Sequence, residues 1–292
     1  MFKHAGYPLA DTLSYPGDPG LFGPGSVSWQ VIGDTSVFVG GIRALLVQAA
    51  HPEVAAGVSQ HSRYREDPLG RLSRTSNYVT AATFGAMPEV EQAVRVVEGI
   101  HRRVRGRSHR RRPYSADTPD LAAWVHNALT EGFLTAHRVF GPGVMPEVDA
   151  DRFVAEQTRV GAMLGADPMP ETAAALASWV SGNAAVGGSP GLVEAIEFLR
   201  RPPLRRTIRP GYRVLFQAAV ATIPPGLRRT LGLRRHPGAI VAGRLLVRFL
   251  RWSLGSSPTW NLALVRVGAP VPEGVFRQPL PTETLDAWGS GP

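Results

Sequence analysis

With no cysteine among its 292 residues, the chain must draw its chemistry from histidine, carboxylate, hydroxyl and arginine side chains. His101 stands out by position. Val90, Val94, Val97, His101 and Val104 recur at helical spacing. Before them come Pro88, tolerated in a first turn because its missing N–H would be unpaired there, and Glu89 and Glu91, which suit the positive end of the helix dipole. His101 therefore falls on an apolar stripe, where a neutral imidazole is a good ligand for a soft metal or a haem iron. The preceding helix is expected to start with Asp67 as N-cap and Pro68 in first position, and it carries Arg71, Arg74, Thr75 and Tyr78. Arg71 and Thr75 are four apart and share a face, and an inward arginine calls for a carboxylate such as a haem propionate. Spacing alone leaves plainer readings open. His101 is then a hydrogen-bonded core residue, and the Arg/Thr pair is surface or an ion-pair partner.

Two more histidines compete. Thr118 or Asp117 as cap, with Pro119 at the first position, opens a helix from Leu121 to about Phe140 that is apolar around much of its circumference, so it belongs at the centre of a bundle. His126 lies within it. It is either an iron ligand, alone or opposite His101, or a buried ring bonded to a backbone carbonyl or to Thr130. His51 precedes Pro52, which marks a break between helices. It either faces a cofactor pocket or bonds a carbonyl freed at the helix end, and its place near a C-terminus favours the second.

These residues need elements to hold them. Helices are expected from about 35 to 51, with Gly40-Gly41 allowing another backbone or a flat ligand to approach closely, and at 147–164, 170–182, 189–200, 212–223, 237–254 and 257–267. Strand-like alternation is scarce. The pattern predicts an all-α, single-domain helical bundle at 31–268, between an irregular Gly/Pro-rich arm at 1–30, lying over the surface, and a tail at 269–292. The apolar run at 212–223 is shorter than the roughly 20 residues a bilayer span needs. Lys3 is followed by no apolar stretch of the kind a secretory leader has, and the missing cysteines fit a reducing cytosol, so a cytoplasmic location is expected, with surface association to a membrane as its variant. No Gly-x-Gly-x-x-Gly follows a strand, no P-loop is present and no Gly-x-Ser-x-Gly forms a strand-to-helix elbow, the run Gly187-Gly188-Ser189-Pro190-Gly191 reading as the cap and first turn of a helix.

The net charge of +9 would ordinarily point to nucleic acid or an anionic membrane. Its densest run, Arg102 to Arg112, is expected to begin inside the last turn of the His101 helix and to spill into a loop, where arginines are commonly just solvated. No aromatic platform or DNA-binding motif accompanies it, which argues against nucleic acid. The helix at 237–254 places Arg244, Arg248 and Arg251 on one stripe, with Ile240, Leu245, Leu246, Phe249 and Trp252 mostly elsewhere. The commoner meaning is a core-packed helix with a solvated arginine edge, and the alternative is peripheral contact with an anionic membrane.

The run Arg71-Leu-Ser-Arg74-Thr75, then Phe84-Gly85, then His101-Arg-Arg-Val-Arg105-Gly106, resembles the core pattern of the MpaB-type oxygenases, which include the bacterial latex-clearing (rubber) oxygenases. His51-Pro52 and Trp124-Val125-His126 resemble that family's smaller actinobacterial members. The resemblance covers about residues 30 to 265 and implies an all-helical protein with one b-type haem, His101 matching the proximal iron ligand, and Arg71, Thr75 and Arg105 matching positions beside the haem. It further implies dioxygen as co-substrate and oxidation of a small apolar, isoprenoid-like molecule, with cleavage of a carbon–carbon double bond as one outcome. Arg74 and Thr75 would then steer dioxygen. Two departures stand against the pattern: Arg74 occupies the place of a lysine, and no acid among Glu53, Glu66 and Asp67 sits in the context of the family's catalytic base. A haem protein of peroxidase or electron-transfer type and a cofactor-free helical binding protein remain the alternatives.

Overall fold

The computed structural model describes residue 9, residues 11–62, 68–255 and 257–271, with the side chains of 68–72 left out. The described chain is all-α. Its order is α1 (Val27–Gly33), α2 (Val37–Gln48), α3 (Pro52–His61), α4 (Pro68–Phe84), α5 (Met87–His101), a hairpin of β1 (Arg105–Arg107) and β2 (Pro113–Ser115), α6 (Pro119–Phe140), α7 (Glu147–Met163), α8 (Ala173–Ser181), α9 (Pro190–Arg200), α10 (Arg209–Thr222), α11 (Pro225–Thr230), α12 (Ala239–Leu254) and α13 (Pro258–Arg266). Proline in the first two positions starts many of these helices, where no N–H is missed. Glu89 closes the start of α5 by accepting the Ala86 N–H at 2.9 Å, and Ser189 caps α9 by accepting from Leu192 N–H at 3.0 Å.

α6 is the central column. Leu121, Trp124, Ala128, Phe133, Ala136 and Phe140 are all buried along it, and α2, α7, α8 and α12 pack around it. The tightest crossing is with α2. A Cβ on Gly40 would stand 3.1 Å from the Gly132 carbonyl oxygen, and one on Gly132 would stand 2.9 Å from that of Gly40. The close approach at Gly40 is therefore made by another backbone. Beside this crossing Arg43 reaches Glu131 through two parallel hydrogen bonds, Nη2 to Oε1 at 2.6 Å and Nη1 to Oε2, and Thr135 adds a third to Oε1 at 3.0 Å. Burial pushes the Arg43 pKa down to about 9, so at neutral pH the guanidinium keeps its charge opposite the carboxylate.

Three expectations change. The arm at 1–30 is neither wholly irregular nor superficial: Ser26 caps α1 by accepting the Trp29 N–H at 3.2 Å, and Val27, Trp29, Val31 and Ile32 enter the main core. Two turns of helix are too short to show a period. Before α1, buried Arg266 of α13 ties the turns to the body, donating to Asp18 O at 2.7 Å, Phe84 O at 2.8 Å and Thr12 Oγ1. The arginine-rich stretch after His101 pairs as a hairpin, Gly106 opposite Tyr114, and so Val104 and Arg105 leave the helix. Last, α12 is turned over relative to the core-packed expectation: Ala239, Gly243 and Val247 face the core, while Val241, Leu245, Phe249 and Trp252 are exposed. Gly243 lies so close to Ala218 and Phe140 that a Cβ would stand 2.6 Å from the Ala218 Cβ, and larger side chains cannot occupy that face.

The crossing yields two expectations for chemical denaturation. Arg43→Met leaves Glu131 charged and buried and should lower the unfolding free energy by about 3–5 kcal/mol, whereas Arg43→Met with Glu131→Leu should recover most of it. Equal losses in both variants would show that the pair matters for its shape and not for its charges. Gly132→Ala should cost about 1–3 kcal/mol, because the atom in its way is backbone.

Candidate functional site

α4 and α5 are joined through Gly85 and Ala86 and run back to back, so the beginning of α4 lies beside the end of α5. Near the turn the pair is well packed: Tyr78 and Ala82 of α4 meet Val90 of α5, Leu21 and Val160. Followed toward the start of α4, the Tyr78 face continues through Arg74 and Thr75 at helical spacing, and both are exposed. Along α5 burial fades in step: Val90 and Val94 are buried, Val97 and His101 half-buried, and Val96 and Ile100 half or more exposed beside them. The core thus stops partway along the pair. Ser73 Oγ and Tyr78 Oη on α4 are buried with no hydrogen-bond partner among the described residues, and burial raises the Tyr78 pKa.

His101 is the last residue of α5. Burial lowers its pKa, and the Asp117 carboxylate opposes that, so the ring is neutral at physiological pH. Among the described residues no group hydrogen-bonds the ring. Asp117 itself is held below the usual carboxylate range by the Ser115 hydroxyl and by Arg105, whose Nη2 lies 3.1 Å from Oδ2. Arg105 therefore does not continue the helix one turn beyond His101. It stands on β1, 63% exposed, in an ion pair that returns to the segment after β2. Asp117, legible in the sequence only as a helix cap, is the acid that acts on His101. Its role needed the hairpin to bring residue 117 back to residue 101, and nothing in the helical period signals that. Arg71 lies on the backbone of α4, but its side chain, like residues Glu66 and Asp67, is outside the described residues.

His126 stands elsewhere. Its Nε2 is 2.9 Å from the Gln157 carbonyl oxygen at the α6–α7 contact and 3.4 Å from Thr130 Oγ1. Since a carbonyl only accepts, Nε2 carries the proton and is not available as a ligand atom. Complete burial drives its pKa down to about 4. His51 is the N-cap residue of α3 rather than a cap on the end of α2. Its ring is buried against Trp124, centroids 5.6 Å apart, with Nδ1 3.4 Å from Glu53 Oε2 but in no hydrogen bond. Glu53 accepts instead from the Ser108 hydroxyl at 2.8 Å, which ties the loop of the hairpin to α3. Gln60 and His61 add to the same seam, His61 Nε2 lying 3.0 Å from Arg105 O and Gln60 accepting the Tyr114 hydroxyl at 2.6 Å. The structure thus gathers His101, Arg105 and Asp117 at one end of the α4–α5 pair and leaves His126 apart.

A buried neutral histidine ties stability to pH. The unfolded ring titrates near 6.5 and the folded His126 near 4, so between these values the unfolded state binds more protons and stability falls as pH falls. At roughly 1.4 kcal/mol per pKa unit the contribution is about 3 kcal/mol, present above pH 6.5 and lost toward pH 4. Urea midpoints measured across this range should drop more steeply for the wild type than for His126→Gln, which can still donate to the Gln157 carbonyl. Parallel slopes would remove His126 as the titrating group.

Comparison with known proteins follows this geometry. No curated protein and no solved structure matches the chain. A family profile does, over residues 29–252, a stretch that runs from α1 nearly to the end of α12 and holds His51, Arg71, Arg74, His101, Arg105 and His126. By that match the chain belongs to the family described as ER-bound oxygenase mpaB/B′/Rubber oxygenase, catalytic domain.

Proposed function

We propose that this protein is a b-type-haem-dependent oxygenase of an apolar, isoprenoid-like substrate, with His101 as the protein ligand to the iron. The observation that carries the reading is the contrast between two histidines. His101 is half-buried, neutral and free of hydrogen bonds among the described residues at the end of α5, whereas His126 is buried between α6 and α7 with its Nε2 given to the Gln157 carbonyl. The surroundings of His101 fit a flat apolar group. Exposed Val96 and Ile100 offer apolar surface on the same helix, and the buried hydroxyls of Ser73 and Tyr78 on α4 lack partners among the described residues.

Haem, when bound, would supply the redox chemistry with dioxygen as co-substrate. The chain would supply position and electrostatics. The Asp117 carboxylate acts on the His101 ring through its charge and would favour the positive charge the ring takes on as it donates to a metal. Arg105 and, on α4, Arg71 are the cations for propionates, and Arg105 would exchange or share its present partner Asp117 to do so. Arg74 and Thr75 continue the Tyr78 face of α4 into the open part of the pair, where a fixed cation and a hydroxyl would favour charge developing on oxygen. His126, buried between α6 and α7 with its Nε2 given to the Gln157 carbonyl, would keep that structural contact and leave the holding of the haem to His101.

The test is the visible spectrum of purified protein, oxidised and reduced. The wild type and His126→Gln should show a haem band, and His101→Ala should lose or shift it, with imidazole in the buffer restoring much of the wild-type shape. A colourless wild type, even after haem is supplied during expression, would overturn the reading. Substrate screening then begins with oxygen uptake on polyisoprenoid-like molecules.

A further inference from the structure

The charge of this chain is segregated. Residues 1–200 carry eighteen Lys and Arg against twenty Asp and Glu, whereas residues 201–271 carry thirteen arginines and no acid at all. That second stretch contains α10 to α13, and it also contains the largest outward apolar stripe. On α12 Val241, Leu245, Phe249 and Trp252 recur at helical spacing opposite the core face, Leu245 65% and Trp252 62% exposed, with the Phe249 and Trp252 rings 5.8 Å apart. Arg248 flanks the stripe and is exposed. Arg244 and Arg251 reach back to the body instead, exposed Arg244 donating from Nε to Val139 O at 3.1 Å and half-buried Arg251 to Asp34 and to Phe140 O at 2.8 Å. These inward bonds fix the helix to the end of α6 and hold the apolar stripe outward. Arg213 on α10, which packs against α12, and Arg234 and Arg235 just before α12 are exposed as well.

We infer that α12 is a docking face for an anionic lipid surface, its apolar stripe entering the headgroup boundary while the exposed arginines around it, Arg213, Arg234, Arg235 and Arg248, meet the lipid phosphates. Charge complementarity selects this occupant. A second copy of the chain would set a surface of uncompensated arginines against itself, and nucleic acid would take the arginines but gain nothing from Val241 and Leu245. The contact is peripheral: among the described residues no single helix is long and apolar enough to cross a membrane. The inference is independent of the haem and of the reaction.

The experiment is co-sedimentation of the full chain with vesicles of phosphatidylcholine alone and of phosphatidylcholine with phosphatidylglycerol, with the tryptophan emission followed in parallel. Binding should need the anionic lipid, weaken with salt and shift the emission to the blue. Leu245→Ser with Phe249→Ser should abolish the blue shift and weaken binding, and Arg235→Gln with Arg248→Gln should weaken it on the order of thirtyfold, since each basic residue near such a surface contributes about one unit of 1 kcal/mol and about 1.4 kcal/mol is tenfold. Circular dichroism on both variants establishes that they are folded, and all these positions are exposed. Three results would overturn the inference: no binding to anionic vesicles; vesicle binding unchanged by the Leu245/Phe249 variant; or, in sedimentation velocity, a dimer that this variant dissociates, with no vesicle binding. Binding of a DNA duplex in the absence of vesicle binding would overturn it equally.

Discussion

The contact of α2 with α6 sets the spacing of the whole bundle. Because neither Gly40 nor Gly132 has a side chain, the two backbones approach until the carbonyl oxygen of each lies 2.9–3.1 Å from where the other's Cβ would be, and at that separation the Arg43 fork reaches Glu131 from the next helix. Such a pair gains little in net stability over apolar residues of similar shape, but it is costly to break, so it specifies the register of the two helices. With α2 fixed, α6 offers its other faces. α7 docks where His126 meets the Gln157 carbonyl, and α12 docks where Arg251 bonds both Asp34, between α1 and α2, and Phe140 at the end of α6. Polar groups at these junctions mostly find partners, which is what a well-ordered interior requires.

The α4–α5 pair is built differently. Its packed half is closed by Arg266, which takes the Phe84 carbonyl at the end of α4 and lies 3.7 Å from Glu89 at the start of α5. Along its other half the described residues grow more exposed: the face that carries Tyr78 and Ala82 continues into exposed Arg74 and Thr75 on α4, and apolar Val96 and Ile100 are exposed on α5. The hairpin then closes the end of this half by returning Asp117 to His101, and the α3 seam holds the hairpin through Gln60, His61 and Glu53.

Much of this architecture is legible in the sequence because helices declare themselves by caps, first-turn prolines and period. Pro68, Pro119, Ser189-Pro190 and Ser257-Pro258 all fall where helices begin, and α6 is central because it is apolar around its circumference. The residues of the site are legible one by one, as His101, Arg74 and Thr75 show, but their relations are not. Arg105 seemed to belong to the turn after His101, yet β-pairing across Gly106 and Tyr114 carried it into an ion pair with Asp117. The Arg43–Glu131 pair left a trace that helical spacing could have exposed. Arg43 lies four residues after Val39 and four before Val47, both buried, so a charge on that face demanded a partner in the interior.

α12 shows why period fixes a stripe without fixing which way it faces. Ala239, Gly243 and Val247 recur every four residues, and so do Val241, Leu245 and Phe249. By hydrophobicity alone the larger side chains belong inside. What decides is the width of the space: α12 approaches α10 and the end of α6 so closely at Gly243 that only the small stripe fits, and the inward bonds of Arg244 and Arg251 hold the helix in that orientation. Turning the helix over would bury more apolar area but would force Leu245 against Ala218 and Phe140 and strip Asp34 of its arginine. Close packing and a buried carboxylate therefore outweigh the hydrophobic preference, and they leave an apolar face in the part of the chain that has no negative charge to shield it.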